Sequence, residues 1–298
     1  LTLSLAACAT EPQSKRETVA SPPALENKAR AAADGGDYAI AARKYLELAA
    51  LSRDTARYKY LLSAAEAFWH GNFIEQAKQI LRSLPTDGLN PQQLSQRQTV
   101  TAAVALAEHN PRTTLNALQT ALQADTPPAL SATIHELRAT AYSQLGNFLE
   151  AARERVALEP LLTDREAARR NEQALWQALM SLSSAALESL RIAPPPDILS
   201  GWLELAIIAK TALTQTTALD QRIADWRTRY PHHPASEDLV ASLLAQQPER
   251  FRSRPAHIAL LLPLSGPFAK SAEAIQDGFL SAYFQRPAQA SGPPDFPA

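Results

Sequence analysis

The chain has 298 residues, enough for a sizeable hydrophobic core and for more than one domain. Its 29 basic and 30 acidic side chains leave a formal charge of -1, which argues against a nucleic-acid surface. A single cysteine excludes an internal disulfide, and no apolar run approaches the roughly 18 to 20 residues needed to span a bilayer.

The one cysteine is Cys8, directly behind Leu5, Ala6 and Ala7. An apolar stretch ending in small residues and one thiol resembles a bacterial lipoprotein box, in which a peptidase cuts before the cysteine and acyl chains join its sulfur and freed amine. Each buried methylene contributes about 0.8 kcal/mol, so several chains turn a soluble domain into an anchored one. The first residue is Leu1 and the charged start of a signal peptide is absent, so residues 1–8 are expected to be a signal remnant with its lipobox. Residues 9–24 are rich in polar residues and proline, with almost nothing to bury, and are expected to form a flexible tether.

Residues 25–250 form the next expected domain. Ala, Leu, Glu, Gln and Arg dominate, glycine is scarce, and apolar residues recur at helical spacing. Tyr38, Ala41, Ala42, Tyr45 and Leu48 share one face, as do Phe73, Ala77, Ile80, Leu81 and Leu84, and then Phe148, Ala151, Ala152 and Val156. Each set follows a short signal: Gly36, Asp37, Tyr38; Gly71, Asn72, Phe73; Gly146, Asn147, Phe148. Glycine is expected to end one helix in a left-handed turn, Asp or Asn to cap the next, and the aromatic to enter the interface. The first two signals are 35 residues apart and the third follows after 75, with His109, Asn110 and Pro111 in the missing place. A period near 34 built from helix, tight turn and helix resembles tetratricopeptide repeats over roughly residues 25–160. Ala41 and Ala151 stand three places after the aromatic, where the repeat wants a small residue; in the second repeat that place is Gln76, with Ala77 beside it.

Further helices are expected on Leu175, Leu179, Leu182, Ala186 and Leu190, ending at Pro194, then on Trp202, Leu205, Ala209 and Leu213. Leu219, Ile223 and Trp226 mark another, ended by Pro231; Leu239, Leu243 and Leu244 mark the last before Pro248. Short loops imply antiparallel pairs, giving a mainly α, TPR-like solenoid with its tryptophans and tyrosines as core anchors.

From residue 251 the character changes. The run 257–268 is continuously apolar and ends in a turn, and Ile275, Phe279 and Tyr283 then mark a helix. An unalternated strand leading into a helix is the start of a buried parallel sheet, so 251–298 is expected to be the truncated opening of an α/β domain. It resembles the first strand and helix of type I periplasmic binding-protein lobes.

Two segments carry a wider resemblance: 225–235, Asp-Trp-Arg-Thr-Arg-Tyr-Pro-His-His-Pro-Ala, and 258–266 with 275–279. With the cysteine in front and the helical array between, the chain is similar to the LpoA family, outer-membrane lipoprotein activators of a bifunctional penicillin-binding protein, a peptidoglycan synthase. The resemblance implies a non-enzymatic regulator of peptidoglycan synthesis, lipidated at Cys8 and held on the periplasmic face of the outer membrane by N-terminal acyl chains. It also implies contact with the synthase that stimulates its transpeptidase, peptidoglycan as a further partner, and no cofactor. Ala9 stands where an aspartate would mark retention in the inner membrane.

Catalytic signatures are missing. The chain has no Ser-x-x-Lys, Gly-x-Ser-x-Gly, Gly-x-x-x-x-Gly-Lys or Gly-x-Gly-x-x-Gly. His135 and Glu136 begin like a zinc helix, but Ala139 occupies the place of the second histidine. His232 and His233 lie between prolines and are expected to pack a loop, and Ser265 and Gly266 to form a turn where binding-protein lobes often meet ligands. The alternative to an activator is a solute-binding component of a transport system, suggested by the final strand and helix alone.

Overall fold

The computed structural model describes residues 21–85, 87–190, 197–212, 219–245, 260–263 and 265–284. Every regular element among them is helical, and the chain divides into two units on either side of Ala245. The first helix begins at Pro22, inside the stretch expected to be tether, because proline at the first helical position needs no amide partner.

Four helix pairs open the first unit: α1 (Pro22–Asp34) with α2 (Tyr38–Leu51), α3 (Asp54–His70) with α4 (Ile74–Ser83), α5 (Pro91–Ala107) with α6 (Pro111–Ala117), and α7 (Pro128–Gln144) with α8 (Phe148–Leu158). One backbone device joins each pair. The amides of Asp37, Phe73, Asn110 and Asn147 reach back five residues to the carbonyls of Ala32, Phe68, Ala105 and Tyr142, at 2.8, 2.8, 2.9 and 2.9 Å. The residue before each, Gly36, Asn72, His109 or Gly146, has positive φ, at 82, 61, 59 and 74°. This is the Schellman closure, which satisfies the last carbonyls of the leading helix.

The closures correct the repeat register. Residues 36, 72, 109 and 146 stand 36, 37 and 37 apart, so the second repeat turns on Asn72 and not on Gly71, whose φ is -80°. The side chains of Asp37 and Asn147 make no cap hydrogen bond either. Side-chain capping is instead found elsewhere, as in the reciprocal box of Asn90 with Gln93 at the start of α5 and in Asp164, which accepts from the Ala167 amide.

In this register the packing is uniform. Seven residues before each left-handed residue lies an alanine, Ala29, Ala65, Ala102 or Ala139, and five residues after it lies Ala41, Ala77, Thr114 or Ala151, all eight fully buried. Small side chains at these two places let the helices of a pair approach closely. Gln76 was one place out of register; Ala77 is the residue that packs. Twelve residues after the turn, Leu48, Leu84, Ala121 and Leu158 are buried as well. Nine after it stand Tyr45, Leu81 and Leu118, and then a charged residue, Arg155. That guanidinium is almost wholly buried against Glu136 of α7, while Asn171 donates to the Arg155 carbonyl at 2.9 Å.

A 3-10 turn (Glu159–Leu161) leads into α9 (Arg165–Ser181), α10 (Ser184–Leu190), α11 (Ile198–Ala212), α12 (Leu219–Arg229) and α13 (Glu237–Ala245). The single helix expected through Leu190 is therefore two. Apolar spacing continues across Leu182, but Ser183 caps a new start by accepting from the Ala186 amide. One core, built on Leu175, Leu179, Trp202, Leu205, Ile223 and Trp226, takes in Ala152 of α8 and so continues the repeat array.

The second unit contributes α14 (Ala269–Phe284), the helix expected from Ile275, Phe279 and Tyr283. Leu260–Pro263, the described part of the expected strand, makes no sheet ladder; Leu261 is 95% exposed. A parallel strand forms only between neighbours that cover both its faces, and no other strand is present among the described residues.

Candidate functional site

Cys8 and the residues around it lie outside the described residues. Among those described, no helix is long and apolar enough to cross a membrane, and no group of three or more His, Cys, Asp or Glu side chains is placed to hold a metal. His135 turns away from any such role. Its Nδ1 lies 2.6 Å from the Glu154 carboxylate on α8, and Ala139 is sealed in the helix pair.

The segment 225–235 is a structural lock around the start of α11. Trp226 donates its indole N–H to the Gly201 carbonyl at 2.8 Å. His233 sits edge-on to Trp202, Trp226 and Tyr230, with ring centroids 5.1, 4.9 and 6.1 Å away. Its Nδ1 accepts from the Ala235 amide at 3.2 Å, so the proton is on Nε2, which donates to the Ile198 carbonyl at 2.9 Å. Burial holds this imidazole below its ordinary pKa, against a smaller opposing effect of the Ile198 carbonyl. Gly201 makes room for the ring: a Cβ there would lie 2.5 Å from His233. His233 thus packs the loop as expected, while His232 takes the positive φ of 61° that lets the chain turn.

Ser265 and Gly266 form a turn before α14, with Gly266 at φ 85° and its carbonyl accepting from the Ala269 amide at 3.2 Å. Both are exposed.

One concentration of chemistry had no motif to announce it. Arg53 and Arg57, one helical turn apart at the start of α3, and Arg82 in the last turn of α4 line a cleft of about 700 Å³ with Tyr58, Leu61, Leu84 and Pro85. All three arginines are exposed, and Asp54, at φ 49°, is the one carboxylate among them. The i, i+4 spacing of Arg53 and Arg57 was visible in the sequence. Their meeting with Arg82, 25 residues on, depends on how α3 packs against α4.

Comparison with known proteins gives this architecture a family. Residues 37–294 match the family described as "LppC putative lipoprotein". A relative from Edwardsiella piscicida, named penicillin-binding protein activator LpoA, is 32% identical over 278 residues, covering 93% of this chain and 38% of its own length. One of the same name from Erwinia tasmaniensis is 34% identical over 256 residues, covering 84% and 36%. The chain therefore spans less than two fifths of the length of these two relatives. Among solved structures, the amino-terminal domain of E. coli LpoA superposes with a TM-score of 0.55 at 26% identity, covering 73% of this chain and 92% of that one. Full-length LpoA from Haemophilus influenzae gives 0.54 at 25% identity, over 82% of this chain and 45% of that one. With the family match running over most of its length, the chain belongs to the LppC lipoprotein family.

Proposed function

We propose that this chain is part of a non-enzymatic lipoprotein, anchored in the outer membrane through acyl chains on Cys8, that contacts a bifunctional penicillin-binding protein and stimulates its transpeptidase. The observation that carries the reading is a likeness running along 93% of the chain to a relative named as a penicillin-binding protein activator. The small residue before Cys8 and Ala9 after it support acylation and outer-membrane sorting. A stack of helix pairs, each closed by the same hydrogen-bonded turn, supports a mechanical role. Such an array keeps its own ends at a set separation, which a flexible chain of equal length does not. Function then resides in placement: lipid holds one end, and the region beyond Ala245 opens the domain that docks on the synthase.

Two measurements test this. Cys8→Ser in the full precursor is expected to move the protein from the membrane to the soluble fraction; its recovery in membranes would remove the anchor from the proposal. The full-length protein is expected to bind the synthase and raise peptide crosslinking by it. Unchanged crosslinking, with a small solute bound instead in a closing cleft, would favour a transport component.

A further inference from the structure

We propose that the arginine cleft between α3 and α4 binds a short peptide carrying two or more carboxylates, the chemistry of the peptide branches on cell-wall glycan. The wall as its source rests on the function proposed above. Elsewhere in the first unit, exposed arginines commonly spend their charge on carboxylates: Arg30 on Glu26, Arg153 on Glu150, Arg169 and Arg170 on Glu166, and Arg227 on Glu237. Arg53, Arg57 and Arg82 make no ion pair or side-chain hydrogen bond among the described residues. They arrive from two helices at one concavity, leaving a surplus of two positive charges over Asp54 in a protein whose formal charge is -1.

Two other hollows of the first unit have a different charge. A cleft between α9 and α13 sets Arg165 and Arg169 against Glu159, Glu172 and Asp238, and one among α3, α5 and α7 contains Glu66 and no cation.

Three features select the ligand. Guanidinium groups present paired N–H donors that match a carboxylate in two parallel bonds, and three such groups suit a ligand with more than one carboxylate. Tyr58, Leu61, Leu84 and Pro85 give the same cleft an apolar wall, which suits a peptide and is wasted on inorganic phosphate. A volume of about 700 Å³ lies within the roughly 300–1,000 Å³ of small-ligand sites, enough for a few residues and too little for a folded partner. Concavity also disfavours a flat lipid surface.

The test is calorimetric titration of the full chain with the synthetic tetrapeptide L-Ala-γ-D-Glu-meso-diaminopimelate-D-Ala. The free-acid peptide is expected to bind. Its fully amidated form should bind at least tenfold more weakly, as should the acid form to the double variant Arg57→Gln, Arg82→Gln. The variant Arg112→Gln, altered on α6 away from the cleft, should bind like the parent. Because the replaced side chains are exposed, circular dichroism is expected to be unchanged and to exclude misfolding as the cause. Equal binding of acid and amide forms, undiminished binding by the double variant, or no binding would overturn the proposal. Displacement by equimolar phosphate would overturn the peptide assignment, and equally tight binding of a linear Asp/Glu tetrapeptide would overturn the wall as source. Synthase stimulation is read in a separate crosslinking assay, so failure here and failure of the proposed function are distinguishable.

Discussion

Four residues hold the left-handed backbone on which the repeat turns depend, and only Gly36 and Gly146 among them are glycine. An L-residue there brings its Cβ against the following carbonyl, at about 1–2 kcal/mol; asparagine tolerates it best, and glycine has no Cβ to clash. His109 therefore carries strain that Gly146 does not. Gly146→Ala is expected to destabilise the protein by about 1–2 kcal/mol. His109→Gly is expected to stabilise it by about 0.5 kcal/mol, after the larger entropy that glycine loses on folding. Urea denaturation of the two variants checks both signs; a destabilised His109→Gly would mean that the imidazole has a favourable role that its turn geometry does not reveal.

At the scale of elements, helix faces were readable because burial repeats with helical period: of the residues that spacing marked, Ala41, Ala42 and Leu48 on α2, Ala77, Ile80 and Leu81 on α4, and Ala151 and Ala152 on α8 are buried. The aromatics that open each set are not sealed with them, since Tyr38 and Phe148 are half-buried and Phe73 is exposed, and the buried Ala49, Arg155 and Leu158 were not marked. Register was harder. Gly71 looks like the turn residue, yet the hydrogen bonds close around Asn72, and glycine content cannot distinguish two adjacent turn-formers. The break between α9 and α10 was hidden because Leu182 prolongs the apolar period past the point where Ser183 restarts the helix. Strand formation at 260–263 could not be read locally at all, since it depends on partners across a sheet. The arginine cleft was invisible for a related reason: its members belong to different helices. By contrast, the segment 225–235 was singled out by its likeness to a family, and the structure supplies its physical content as a lock of α12 and the following loop onto α11.

That lock should respond to acid. In the native state the neutral imidazole of His233 is held below its ordinary pKa by burial, and the same cause depresses His70. The unfolded chain, with histidine near 6.5, takes up protons first as pH falls. Stability from both groups is thus complete above about pH 6.5 and declines as pH drops below it towards the lower native values. Calorimetric melting is expected to give a constant Tm between about pH 8 and 7 and a falling one between about 6.5 and 5.5, before most carboxylates titrate. A smaller slope is expected for His233→Gln, together with a lower Tm at pH 7.5; an identical slope would show that the ring is not the sensor.

Across the whole molecule, helices of the first unit pack chiefly on their neighbours in sequence, α1 on α2, α2 on α3, α3 on α4 and onward. Structures built from such near contacts order quickly and from many starting points. They also face an ambiguity: pairs that share the same alanines, the same turn and nearly the same length are close to interchangeable as packing partners. Arg155 differs from its three apolar counterparts, Tyr45, Leu81 and Leu118, and finds Glu136 and Asn171 only when α7, α8 and α9 are in the right succession. It behaves as a key cut for one slot. Arg155→Leu removes one partner only, leaving the Glu136 carboxylate and the buried Asn171 side-chain oxygen without their donor, and is expected to lower stability by about 1–3 kcal/mol in urea denaturation. A second cost is expected as lost uniqueness, with doubled or broadened amide resonances from α7 to α9 after refolding; a single sharp set would show that assembly order is written elsewhere. In an array made from near-copies, fidelity of assembly then rests on places where the copying is broken, and Arg155 is the charged one among the buried positions compared.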